Sequence, residues 1–155
     1  MVEEGQGGSD PTRCGFVAVI GAPNVGKSTL VNALVGGKVT IVSPKVQTTR
    51  SLVRGITLEG RSQLIFVDTP GLFAPRRRLE RAMVTSIRSG AQDADVALLV
   101  VDAKRGLDAD TGAILDRLGG LAARKALVLN KVDLVAKPAL LALAQAANAR
   151  LAFAA

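Results

Sequence analysis

Gly21-Ala22-Pro23-Asn24-Val25-Gly26-Lys27-Ser28 is the stretch whose reading decides the fold. The octapeptide fits the phosphate-loop pattern G-x-x-x-x-G-K-[ST]. It lies between an apolar run, Phe16 to Ile20, and a helix-like run, Thr29 to Val35, so strand, loop and helix follow in the order that this chemistry needs. Glycines let successive backbone N–H groups turn inward, and loop and helix N-terminus together cradle negative oxygens. Asn24, Val25, Gly26, Lys27, Ser28 and Thr29 are the expected phosphate-binding residues. Lys27 brings positive charge to the β- and γ-phosphates, and the Ser28 hydroxyl is offered to Mg²⁺. A tight strand-to-helix turn with a chance lysine is the plain alternative, and the length and context of the match weigh against it.

Outward from the loop, strands and helices alternate. Gly15 to Ile20 reads as a fully buried strand, because its apolar residues run without polar alternation. The helix after the loop sets Leu30, Val31 and Leu34 on one face and is stopped by Gly36-Gly37. Lys38 to Ser51, with Pro44 and Gln47-Thr48-Thr49-Arg50, has no period and reads as a long loop. Leu52 to Leu58 and Gln63 to Val67 form a hairpin about Glu59-Gly60-Arg61, and the second run leads into Asp68-Thr69-Pro70-Gly71. A helix is expected over Leu79 to Gly90 and a buried strand over Val96 to Val101 with Asp102 at its end. Asp110 to Leu118 reads as an amphipathic helix, and Ala126 to Leu129 as a buried strand ending in Asn130-Lys131-Val132-Asp133. Pro138 opens a last helix rich in Ala and Leu. The pattern specifies an α/β fold of the P-loop NTPase kind, a three-layer sandwich with a mostly parallel central sheet. Ligands in such sheets bind at the carboxyl ends of the strands, which puts the phosphate loop, Asp68 and Asn130 on one edge.

Composition narrows the classes. The 155 residues suit about one domain, and 48% apolar content argues for a globular chain. With four Phe and no Trp or Tyr, a grip on single-stranded RNA by stacked aromatics is not visible. One cysteine, Cys14, and no histidine exclude an internal disulfide and a Cys/His zinc site, and point to a reducing compartment. Residues 1–14 read as a flexible acidic tail with Glu3, Glu4 and Asp10, not a signal peptide. The uncharged run Pro138 to Ala149 is too short to span a bilayer, so a soluble, cytosolic protein is expected. The net charge of +7 resides between Lys38 and Gly90, where ten Lys or Arg face three acids. That surface faces either a polyanion or water.

The strand-end motifs complete the chemistry. Asp68 can orient a Mg²⁺-bound water, and the Gly71 N–H can reach a γ-phosphate oxygen, a bond that is lost when that phosphate leaves. Asp-Thr-Pro-Gly is also an ordinary turn, and its meaning depends on the loop upstream. Asp133 can accept the ring N–H and exocyclic amine of guanine, Asn130 can bridge the purine edge to neighbouring loops, and the Lys131 stem can cover the base. Adenine lacks those donors and would leave a buried carboxylate unpaired, so the site should reject ATP.

The ordered set Gly21 to Ser28, Asp68 to Gly71 and Asn130 to Asp133 resembles the translation-factor-class GTPases. Cys14 to Asn24, followed by Ser43-Pro44-Lys45-Val46-Gln47-Thr48-Thr49-Arg50, is similar to the bacterial Era family, with Gln-Thr-Thr-Arg favouring it over Der and MnmE. The likeness covers about residues 13 to 135. It implies a GTP-hydrolysing switch with GTP/GDP and Mg²⁺ as cofactors, Mg²⁺ being held by Ser28, Thr49 (or Thr48) and Asp68. Lys38 to Ser51 would be switch I, and Asp68 to about Arg81 switch II. Implied partners are 16S rRNA and the 30S subunit, with peripheral membrane association and a monomeric state. Era-type proteins continue into a Ser-Ala guanine motif and an RNA-binding KH domain. This chain ends at Ala155, so a G domain over 15–155 lacking part of its last strand is expected. Leu72 stands where Ras-like enzymes carry a water-orienting Gln. The expected catalytic set is therefore Lys27, Thr49, Gly71 and Asn24, with Asn24 helping to hold K⁺ or only stabilising the loop. Competing readings are a fragment with impaired nucleotide binding that serves as an RNA or ribosome-binding module, a Der-like GTPase domain, and an ATP-using P-loop enzyme.

Overall fold

The computed structural model describes residues 12–36, 52–68 and 94–155, and at positions 52, 53 and 68 the backbone alone. The elements are β1 (Arg13–Ile20), α1 (Lys27–Val35), β2 (Leu52–Glu59), β3 (Ser62–Asp68), β4 (Val96–Asp102), α2 (Ala109–Leu118), β5 (Arg124–Asn130), a 3₁₀ turn (Val132–Leu134) and α3 (Lys137–Arg150). The five strands form one sheet in the order β2-β3-β1-β4-β5. β2 and β3 are antiparallel, while β1 runs parallel to both β3 and β4, and β5 parallel to β4. The order reverses at β1, whose chain leaves toward β2 and β3 while β4 and β5 build the other side. A cleft at the carboxyl end of β1 is the geometric result.

The core gathers where the central strands are covered. Ala18, Val19 and Ile20 of β1 meet Ala97, Leu99, Val100 and Val101 of β4, all buried. α2 adds Ile114, Leu115 and Leu118, spaced so that they share one face. α1 lies close to β2 because position 55 is glycine: a Cβ there would stand 2.7 Å from Val35 Cγ2.

The expected elements within the described residues are present, with three corrections of burial. β1 starts at Arg13 and is buried only toward its carboxyl end, Phe16 being 43% exposed. Leu34 of α1 is exposed, while Val31 and Leu30 carry the contact with the core. β5 is half-buried, because it ends the sheet order. Beyond α3 the chain returns to its outer edge, where the Ala154 N–H donates to the Lys125 carbonyl at 2.8 Å and the Leu127 N–H to the Ala155 carbonyl at 2.9 Å. No helix among the described residues is long and apolar enough to cross a membrane.

The expected helix over 79–90, both switch segments, Thr48, Thr49, Gly71 and Leu72 lie outside the described residues.

Candidate functional site

The phosphate loop leaves β1 at Gly21, where only hydrogen fits: a Cβ would sit 2.6 Å from the Val100 carbonyl oxygen. The chain then rises to an exposed crest, Pro23-Asn24, and turns back through two left-handed residues, Asn24 (φ 62) and Gly26 (φ 97), with Val25 buried between them. Asparagine tolerates that conformation better than most residues, and glycine adopts it without strain. Gly26 is the N-cap of α1, which has no side-chain cap and no acid in its first turn. Its leading N–H groups are thus not capped by its own side chains, as an anion site requires. Lys27 folds back over the loop and donates from Nζ to the carbonyls of Gly21 and Ala22, both at 2.8 Å.

Asp68 closes β3 opposite Val19, one residue before the end of β1. Its backbone therefore stands beside the start of the phosphate loop, on the edge expected. Ser28 is exposed near the start of α1, and its hydroxyl accepts a hydrogen bond from Arg54 Nη1 of β2. Nothing local in the sequence relates residue 54 to residue 28. A hydroxyl and a strand-end carboxylate are the hard oxygen donors that suit Mg²⁺, so these positions fit the ion chemically.

The third motif leaves β5. Asn130 pairs in register with Asp102 of β4 and sends its amide across the cleft, Nδ2 donating to the Val25 carbonyl at 2.8 Å. The fit is tight, for a Cβ on Gly26 would lie 2.3 Å from the same Nδ2. Lys131, left-handed at φ 59, reaches from Nζ to the Asn24 carbonyl and to Asp102 Oδ2, each at 2.8 Å. Asp133 lies exposed on the 3₁₀ turn. The phosphate loop, Asn130 and Lys131 are thus in direct contact, and Asp133 stands two residues further along.

Asp102, which the sequence marked only as a strand end, is the buried hub of this edge at 5% exposure. Its carboxylate accepts the Lys104 and Arg105 amides as well as Lys131 Nζ. The Lys131 hydrogen bond, aided by those two N–H groups and opposed by burial, holds its carboxyl below the ordinary value. Arg105 then reaches back to the crest, Nη1 donating to the Pro23 carbonyl at 3.1 Å.

Residues 16–131 match the family described as 50S ribosome-binding GTPase. The chain is 65% identical to a GTPase Era of Bradyrhizobium sp. (strain ORS 278), over 99% of this chain and 50% of that protein. It is 59% identical to one of Rhizobium meliloti, over 94% and 47%. Among solved structures, Era in complex with MgGDPNP and nucleotides 1506–1542 of 16S ribosomal RNA superposes with a TM-score of 0.74 at 36% identity, covering 91% of this chain and 48% of that one. An Aquifex aeolicus Era variant bound to GDP and AlF4⁻ gives 0.70 at 36% identity, covering 90% and 48%. The chain spans about half the length of these relatives. The family match runs from β1 to Lys131 and takes in the whole contact between phosphate loop and third motif; the chain belongs to the 50S ribosome-binding GTPase family, and its sequence groups there with the proteins named GTPase Era.

Proposed function

We propose that the chain binds GTP and GDP with Mg²⁺ and hydrolyses GTP to GDP and phosphate. The observation that carries the proposal is the bond from Asn130 to the Val25 carbonyl, which fixes the separation between the phosphate cradle and the turn bearing Asp133. A ligand that satisfies both must carry phosphates at one end and an N–H and amine pair at the other, which describes a guanine nucleotide. Lys27 and the loop N–H groups hold the phosphates; Asn130, Lys131 and Asp133 hold the base. Ser28 and Asp68, with Thr49, would hold Mg²⁺, which when bound neutralises charge on the β- and γ-phosphates. Arg54, which donates to the same hydroxyl, would then place its guanidinium charge beside the ion.

Leu72 stands where Ras-like enzymes carry a water-orienting glutamine, and its side chain cannot hydrogen-bond water. We infer that Asn24, exposed on the crest, helps to hold a K⁺ ion beside the phosphates, and that Gly71 carries the γ-phosphate contact of the switch. The same reading makes residues 15–155 a G domain behind a tail at 1–14. It also makes the protein a cytoplasmic monomer that serves small-subunit ribosome assembly through 16S rRNA. The solved Era complex with 16S rRNA supports that last step.

Titration with a fluorescent GDP analogue tests the core of the proposal. Micromolar or tighter binding that GTP competes away and ATP does not is expected, and loss of that selectivity rejects it. Turnover that is equal in Na⁺ and K⁺ buffers rejects the role given to Asn24. Charge reversal at Arg76 to Arg78 that leaves the salt slope of 16S rRNA binding unchanged removes those residues from the RNA surface.

A further inference from the structure

A loop that turns its N–H groups toward an anion leaves its carbonyl oxygens to find donors elsewhere. Here each carbonyl from 21 to 25 is taken by a side chain. Gly21 and Ala22 accept from Lys27, Pro23 from Arg105, Asn24 from Lys131 and Val25 from Asn130. Lys27, Lys131 and Asn130 belong to the motifs already described. Arg105 belongs to none of them. It stands 82 residues from Pro23, in the connection between β4 and α2.

The guanidinium is itself held in place. Nη2 pairs with Asp108 Oδ2 at 2.5 Å and lies 3.6 Å from Asp110 Oδ2, while the Arg105 amide is bound by Asp102. Asp102 also anchors Lys131, so the donors to the Pro23 and Asn24 carbonyls share one carboxylate. Both crest residues are exposed, and packing does little to hold them.

Building on the guanine-nucleotide reading above, we infer that Arg105 is a positioning residue of the phosphate loop. It completes the row of donors behind the loop and holds the crest in the shape that binds phosphate. Its effect passes through the loop, so it bears on nucleotides in proportion to their dependence on the phosphate cradle. Asp108 supports it by fixing the guanidinium.

The test compares Arg105→Gln and Asp108→Asn with the unsubstituted chain in fluorescent-GDP release, in GDP and GMP competition, and in thermal melting without nucleotide. Asn caps a helix about as well as Asp, so Asp108→Asn removes the ion pair and keeps the cap. Arg105→Gln is expected to speed GDP release about three- to tenfold, the range for one hydrogen bond from a partly exposed charged group. GMP affinity should change less than GDP affinity, with melting nearly unchanged. Asp108→Asn should shift release in the same direction and less. Unchanged release in both variants, or equal loss for GDP and GMP, overturns the inference while the unsubstituted chain still binds GDP. Failure of the unsubstituted chain to bind GDP rejects the guanine-nucleotide reading and the inference with it.

Discussion

Two helices start on the ligand edge of the sheet, and their first turns are opposites. α1 begins at a left-handed glycine with no side-chain cap and no acid in its first turn. α2 begins at Asp108, whose carboxylate accepts the Thr111 N–H at 3.0 Å, and it carries Asp110 in its first turn. Both helices have the same intrinsic positive end. α2 fills its own with carboxylates, so that end serves stability and, through Asp108, the orientation of Arg105. α1 leaves its own without such a side chain. The comparison teaches that a phosphate site depends on what the sequence withholds as much as on the lysine it supplies.

Giving α1 the kind of start that α2 has should have the largest effect. Gly26→Asp puts a carboxylate at the cap, where the new Cβ meets Asn130 Nδ2 at a φ of +97°. Left-handed strain of about 1–2 kcal/mol adds to the loss of an anion-favouring terminus, worth up to about 2 kcal/mol. Like-charge repulsion against the phosphates comes on top. GDP affinity measured by fluorescence titration should fall at least about a hundredfold. Retention of wild-type affinity would show that the open terminus is not what binds phosphate.

The local half of this arrangement was legible in the sequence, and the long-range half was not. Gly26, Lys27 and Ser28 lie next to one another, so the pattern alone specifies the loop and helix. The ends of β1, β3 and β5 could be aligned because alternating strands and helices force parallel strands to end on a common edge. Apolar runs identify strands without giving their position in the sheet. That is why β5 read as buried and proves half-exposed, and why Phe16 lies open at the amino end of β1. Asn130 and Val25 are 105 residues apart and Arg54 and Ser28 are 26 apart, and no periodicity relates such partners. Asp102 stood in view as a strand-end carboxylate; its role could be assigned only once Lys131 was seen beside it.

Asp102 stands between the two helix starts and gives the next test. Asp102→Asn keeps an Oδ1 acceptor for the two amides but sets an NH2 donor against Lys131 Nζ, which loses its ion pair. Lys131 is partly exposed, so the full penalty of a severed buried pair does not apply. A loss of about 2 kcal/mol is expected, visible as a lower urea midpoint with an unchanged slope. GDP release should also quicken, because Lys131 no longer has a fixed anchor from which to hold the Asn24 carbonyl. A lower midpoint with unaltered release would confine Asp102 to folding and separate the strand end from the phosphate loop.

The smallest effect belongs to the cap of α2, and acid resolves it. The Asp108 carboxyl is held below its ordinary value of 3.8, first by the Thr111 N–H, then by the Thr111 hydroxyl and the Arg105 charge, with burial opposing them. A carboxyl whose folded pKa is depressed binds its proton more readily in the unfolded chain. Its contribution is therefore complete above 3.8 and drains away as the pH falls through the lowered folded value. Asp108→Ala should remove about 1 kcal/mol at neutral pH, the ordinary value of a helix cap. The difference from the unsubstituted chain should shrink as the pH drops below about 4, because the native carboxyl is then protonated and its charge-assisted bonds weaken. Urea midpoints at successive pH values would show the two curves converging. Parallel curves down to the lowest pH would mean that Asp108 stabilises α2 through shape and not through charge, and the contrast with the carboxylate-free start of α1 would lose its electrostatic basis.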